Sequence, residues 1–264
     1  MQFKGMPMPS LKTKLTQTVD RLTCQLCTIP SAAVSQAFAA SGADAVIIDL
    51  EHGAIDYGSA HAMIAATAGT DCAPLVRISE IDAVQCKRAL DLGAEGIVFP
   101  LARNVADVER AVASLLYPPN GVRGFGPFIA QSRWNTTLAE YRDKMEPQLI
   151  CCILIETTDA VENIEHICNV EGIDLIIPAT FDLSSDMGIS GQFDHPDFQA
   201  ALARIEKAAK SANIPLGGVA LNQTQAETLF ARGYRMITGF DLLWLREKTF
   251  EMRAWSSHET ASKQ

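Results

Sequence analysis

Residues Leu90–Pro100 read LDLGAEGIVFP, and two periodicities meet there across one glycine. Before Gly93, apolar residues of Ala83–Leu92 recur at helical spacing; after it, Gly96–Pro100 is a short apolar run closed by a proline. A glycine just past a helix supplies the left-handed turn that ends it. A short, continuous apolar run suits a strand covered on both faces. The same join recurs in FARGYRMITG, Phe230–Gly239.

Outward from this join, the alternation runs along the whole chain. Strand candidates are Cys24–Ile29, Ala45–Asp49, Pro74–Ile78, Gly96–Pro100, Leu149–Ile155, Asp174–Pro178, Pro215–Leu221 and Arg235–Gly239. The clearest helix candidates are Ala83–Leu92, Val105–Leu116, Ala160–Ile167, Phe198–Ser211, Thr224–Arg232 and Leu242–Trp255. Eight strand–helix units in this length predict an α/β fold, a (β/α)8 TIM barrel forming a single domain over residues 1–264. A doubly wound open sheet is the alternative, but the first strand–helix turn, IPSAAVS, lacks the G-x-G-x-x-G fingerprint. The connection Tyr117–Gln148, with PPNGVRGFGPF inside it, is unusually long. Long loops in compact domains are usually functional or disordered; with no low-complexity bias, this one is expected to be ordered and close to the active site.

The 264 residues are 48% hydrophobic and 20% charged, enough for one large domain with a sizeable core. Lys+Arg 22 against Asp+Glu 31 leaves a formal net charge of −9 with no basic cluster, which argues against a nucleic-acid or anionic-membrane partner. No apolar run approaches the ~20 residues of a membrane span, and MQFKGMPMPSLKTKLTQ lacks the apolar core of a secretory signal. An odd set of seven cysteines without framework spacing favours a reducing compartment, so a cytoplasmic location is expected. Cys24 and Cys27 form a C-x-x-C, but no second pair completes a zinc site, and they read as small hydrophobes at a strand end.

In such a barrel, active sites form at the C-terminal ends of the strands. There the second strand delivers Asp49, Glu51 and His52, the third Arg77, the fifth Glu156, and the sixth leads into Asp182. Taken singly, Asp182 reads as a helix N-cap and Glu156 as an acid favoured by a helix dipole. Together they lie about one strand–helix unit apart and project from neighbouring strands. Adjacent carboxylates repel unless a cation or a proton lies between them. Two oxygen ligands with open positions suit a hard divalent ion such as Mg²⁺ or Mn²⁺. His52, with carboxylates one and three positions before it, is the candidate base, because an imidazole titrates near neutrality. His61, His166, His195 and His258 fall on predicted helices or loops and read as surface residues.

DLEHG, LVRI, LDLGAEGIVFPLARN, YPPNGVRGFGPF, IET and DLSSDMG follow one another in an order that resembles the class II pyruvate aldolases of the HpcH/HpaI family, from about Gln25 to Leu245. The resemblance implies a (β/α)8 barrel assembled as a homo-oligomer, often a hexamer, with the last helix (about residues 241–256) exchanged between paired subunits. It implies reversible cleavage of a 4-hydroxy-2-oxo acid into pyruvate and an aldehyde, with a divalent metal ion, Mg²⁺ or Mn²⁺, and Co²⁺ as a further candidate. By position it makes Glu156 and Asp182 the metal ligands and His52 the base, with Asp49 as its carboxylate partner. Arg77 becomes the arginine at the pyruvate carbonyl, and Asp91 an acid supporting the His52–Asp49 pair of a neighbouring subunit. Main-chain groups around Ala179 and Phe181 take the substrate carboxylate. Two departures bear on substrate preference more than on reaction class: Ala179-Thr180-Phe181-Asp182 stands where the family reads G-P-x-D, and Leu154 where many members carry glutamine.

The chemistry is coherent from the residues alone. A Schiff-base route needs a lysine in the mouth, and none of the eight strand segments contains one. Other readings are a decarboxylase or another lyase acting on a 2-oxo diacid, and a barrel that binds a small acid without turning it over.

Overall fold

The apolar runs fold as strands β1 (Leu22–Cys27), β2 (Ala45–Asp49), β3 (Ala73–Arg77), β4 (Gly96–Phe99), β5 (Ile150–Ile155), β6 (Leu175–Pro178), β7 (Gly217–Val219) and β8 (Met236–Phe240). The structure is a computed structural model that describes residues 10–17 and 21–256; His258 lies outside them. The strands pair in parallel in the order β6-β5-β4-β3-β2-β1-β8-β7, and a bridge between Ile176 and Leu216 brings β6 to the residue before β7. The sheet therefore closes as a (β/α)8 barrel in one domain.

The helices are α1 (Leu11–Gln17), α2 (Ala32–Ala40), α3 (Tyr57–Ala65), α4 (Ala83–Asp91), α5 (Val105–Leu115), α6 (Ala130–Arg133) and α7 (Leu138–Met145). They continue with α8 (Thr158–Glu162), α9 (Ile164–Ile167), α10 (Thr180–Asp186), α11 (Pro196–Ser211), α12 (Gln223–Ala231) and α13 (Asp241–Ser256). Asp56, Asp82, Asn104, Thr157 and Asn222 start the helices after β2, β3, β4, β5 and β7, each side chain accepting an N–H of the first turn. The helix expected over Ala160–Ile167 is instead α8 and α9, separated at Asn163. There the side-chain amide donates to the carbonyls of Asp159 and Arg103, a local alternative to helix continuation.

Alternation along each strand sends one set of side chains inward and the other towards the helices. Leu26, Ile47, Leu75, Val98, Leu154 and Ile177 belong to the inner cluster, while Val46, Ile48, Val76, Ile97 and Ile153 pack with the helices. Cys24 falls in the inner cluster and Cys27 in the outer one, because residues three apart on a strand face opposite ways. The short helix α1, not anticipated from the sequence, adds Leu11 and Leu15 to the inner cluster and closes the base of the barrel. Buried Glu95 accepts the Leu11 N–H at 3.0 Å, and Lys12 reaches Asp174 at 2.9 Å.

The long connection is ordered, but it lies at the other end of the barrel from the place expected. It leaves the C-terminus of α5 and enters the N-terminus of β5, so it covers the end where strands begin. Arg133 donates to Thr67, just past α3, and Arg123 pairs with Asp91, the last residue of α4, at 2.9 Å. Length and glycine content signalled an organised segment; chain direction decides which face receives it. Among the described residues no helix is long and apolar enough to cross a membrane.

Barrel closure leaves no room at Gly96. A Cβ there would stand 2.5 Å from the Ile150 Cβ and 2.6 Å from the Ile150 carbonyl oxygen on the neighbouring strand. Gly96→Ala is expected to destabilise the protein by about 1–3 kcal/mol through overpacking against backbone. An unchanged denaturation midpoint would contradict this packing.

Candidate active site

Asp49 is the last residue of β2 and stands opposite Arg77 in the β2–β3 register. That register joins the two side chains. Arg77 donates from Nε to Asp49 Oδ1 at 2.8 Å and from Nη2 to Oδ2 at 2.6 Å. Asp49 has no exposed surface, and its Oδ1 also accepts the N–H groups of Glu51 (3.0 Å) and His52 (3.3 Å). The carboxylate thus shapes the turn that follows its own strand. Gly53 completes that turn, since a Cβ there would lie 2.3 Å from the Asp49 carbonyl oxygen.

This turn sets the two neighbouring side chains. Glu51 approaches Arg77 Nε at 3.2 Å and the His52 ring at 3.9 Å. Asp49 is taken up by Arg77 and the turn N–H groups, so the carboxylate beside the imidazole is Glu51. The His52 side chain is 66% exposed, open to the mouth. Burial raises the Glu51 carboxyl, with Arg77 and His52 opposing and the charges of Asp49 and Asp182 adding.

Glu156 follows β5 and is almost fully buried. Thr157, not Glu156, caps α8, so the acid is not consumed by a helix start. Its Oε1 accepts the N–H of Leu101, whose φ of 59° is uncommon for a non-glycine residue. Such strain clusters at functional sites, and nothing in the sequence marks a leucine for it. Burial pushes the Glu156 carboxyl up to about 7 against the Leu101 N–H, and the Glu51 and Asp182 charges add to the rise. Asp182 lies in the first turn of α10, where no side-chain cap is formed. Ala179 precedes that helix at φ −82°, so alanine meets no left-handed demand there.

Beside them in the mouth is a cavity of about 80 Å³, lined by Arg77, Ala179, Thr180, Phe181, Asp182 and Thr238 together with apolar side chains from the barrel interior. Phe181 is half exposed and packs edge-to-face on Phe193 at 4.9 Å. The mutual influence of Glu51, Glu156 and Asp182 is the environment a hard cation relieves. Among the described residues no three His, Cys, Asp or Glu side chains form a complete metal cage. Glu156 and Asp182 fit a divalent ion as a pair of oxygen ligands whose other positions belong to substrate or water. Asp91 is the last residue of α4 and pairs with buried Arg123, not with the His52 of its own chain.

The HpcH/HpaI aldolase/citrate lyase family model matches residues 28–247. The chain belongs to this family. A 4-hydroxy-2-oxo-heptane-1,7-dioate aldolase of Salmonella dublin is 34% identical over 216 residues, 75% of this chain and 82% of the relative. The HpcH/HpaI aldolase of Desulfitobacterium hafniense has a similar structure, with a TM-score of 0.87 and 26% identity over 97% of this chain and 99% of that one. An HpcH/HpaI aldolase/citrate lyase family protein of Burkholderia cenocepacia J2315 gives a TM-score of 0.85 and 27% identity over 94% and 99%. As an HpcH/HpaI family member, the chain is an enzyme, a carbon–carbon lyase.

In this HpcH/HpaI protein the Asp49–Arg77 pair supports both fold and mouth. Asp49→Ala leaves the largely buried guanidinium without its bidentate partner and is expected to cost about 3–5 kcal/mol. Urea denaturation checks this; a loss under about 1 kcal/mol would show that the pair is dispensable.

Proposed function

We propose that the chain is a metal-dependent class II aldolase that reversibly cleaves a 4-hydroxy-2-oxo acid to pyruvate and an aldehyde. The mutual influence of Glu156, Asp182 and Arg77, the last two lining a small mouth cavity, carries this reading. Family membership and the aldolase names of relatives add to it.

Glu156 and Asp182 would hold the divalent ion, Mg²⁺ or Mn²⁺, with Co²⁺ as a further candidate. When bound, the ion supplies positive charge that offsets these carboxylates and polarises a 2-oxo acid. Main-chain N–H groups of the Ala179–Asp182 turn, Thr180 included, are available to the substrate carboxylate. Arg77, held in direction by Asp49 and Glu51, donates to the keto oxygen as negative charge develops there. His52, oriented beside Glu51, takes the C4 hydroxyl proton through a water molecule as the C3–C4 bond breaks. The electron pair of that bond passes into the C2–C3 enolate, and protonation at C3 gives pyruvate.

Assembly belongs to the same proposal. Leu242, Leu245, Phe250 and Trp255 on α13 are exposed, which supports a homo-oligomer, a hexamer, in which α13 packs on or exchanges with a neighbour. Asp91, paired with Arg123 in its own chain, would then serve the His52 of another copy. A cytoplasmic location rests on the cysteine pattern.

Glu156→Gln or Asp182→Asn is expected to remove most bound metal and nearly all cleavage activity; full activity in excess chelator would overturn the metal route. His52→Ala should lower turnover by roughly 10²–10⁴ with metal content intact, and loss of metal would make it a ligand instead. The raised Glu156 carboxyl fixes a pH signature. Only its ionised form binds metal, so affinity should fall by about tenfold per pH unit below about 7. In the metal-free protein the sign is opposite. The retained proton favours the folded state below the ordinary carboxylate range, and that contribution is lost as pH rises through about 7. Calorimetric metal titrations across this range, with melting curves of the metal-free protein, check both signs.

A further inference from the structure

We propose that Leu101 is a positioning residue for Glu156: its main-chain N–H, aimed by a left-handed backbone, fixes the carboxylate in the direction a divalent ion requires. This rests on the metal-dependent aldolase reading, in which Glu156 is a ligand. Among the described residues three non-glycine residues have a positive φ: Leu101 at 59°, Asn135 at 49° and Asn213 at 57°. Asparagine tolerates that region because its side chain hydrogen-bonds locally, an option leucine lacks. Side-chain packing gives little in return, because Leu101 is 43% exposed. Such a conformation persists only where its surroundings over-determine it.

Here the chain is fixed on both sides. Upstream, β4 ends at Phe99, which pairs with Ile153 of β5, the strand that leads into Glu156. Downstream, Ala102 is fully buried in the cluster that packs with the helices. The Arg103 N–H donates to Asp107 at 2.9 Å, and its carbonyl accepts from the Asn163 side chain at 3.3 Å. With both flanks held, rotation about the Leu101 N–Cα bond decides where the N–H points. At its positive φ it donates across to Glu156 Oε1. A negative φ would swing the N–H away or pull Ala102 and Arg103 from their places. The Glu156 carboxylate makes no other hydrogen bond among the described residues, while the charges of Glu51 and Asp182 act on it. Its direction therefore depends on this one donor. With Oε1 engaged, Oε2 is the oxygen left freest for a cation, as expected where a hydrogen bond orients a ligating carboxylate.

Calorimetric titration with Mn²⁺ compares two variants that differ in the backbone they permit. Glycine takes a positive φ freely, and a β-branched residue resists it most. Leu101→Gly is expected to bind Mn²⁺ at least about tenfold more tightly than Leu101→Ile, the scale on which a group orienting a metal ligand acts. A second measurement removes the donor alone. Replacing Leu101 by its α-hydroxy analogue keeps the side chain and exchanges the N–H for an ester oxygen. Mn²⁺ binding should weaken by a similar factor relative to the native chain. Circular dichroism of the metal-free proteins shows which are folded; if Leu101→Ile is not, the α-hydroxy analogue decides. Equal affinities of the glycine and isoleucine variants, or an analogue that binds as tightly as the native chain, overturn the role of Leu101 and leave the metal site standing. A native chain that binds no Mn²⁺ overturns the metal-dependent reading itself.

Discussion

A carboxylate sealed inside a barrel needs donors around it, and Asp49 has four hydrogen bonds from Arg77 and the following turn. That single cluster links the fold to the mouth. The β2–β3 register creates the pair, the pair fixes the guanidinium, and the same carboxylate folds the chain back so that Glu51 and His52 emerge together. Gly53 lets the backbone pass close enough for this to happen. Structure and chemistry therefore share one set of atoms, and a change at Asp49 affects both.

Above the apolar interior the barrel is asymmetric. Its lower layers are filled by alternating inward side chains and sealed by α1, so the polar groups stand on a packed floor. The acids come from β2, β5 and the start of α10, and the cavity beside them is lined largely by apolar side chains, with Thr180 and Thr238 among them. The exposed apolar face of α13 points outward from the same domain.

Much of this was legible in the residues, for a physical reason. Strands buried on both faces must be apolar throughout, so their ends are abrupt; Ala45–Asp49 and Val105 as a helix start can be read directly. Asp49, His52, Arg77, Glu156 and Asp182 were candidates because acids and bases rarely terminate such runs without cause. Pairing was less legible. Which carboxylate meets His52 depends on the strand register and the turn, and Glu51 stands beside it where the resemblance implied Asp49. The left-handed Leu101 leaves no trace, since leucine carries no preference for that conformation. The burial of Arg123 against Tyr117 and Asp91 was not legible, because charge normally marks the surface. The seven-residue α1 offered too little periodicity to detect, although its two leucines complete the core.

The seven cysteines, all buried and unpaired, have a consequence for the life of the molecule. Burial pushes Cys27, Cys72 and Cys86 up to about 12, so these sulfurs stay protonated and shielded while the barrel is closed. An oxidant reaches them chiefly when the chain opens. A sulfinate formed then carries a charge that the apolar interior cannot take back without a partner. Each opening under oxidising conditions therefore risks becoming permanent, and the pool of native molecules ages at a rate set by its own breathing.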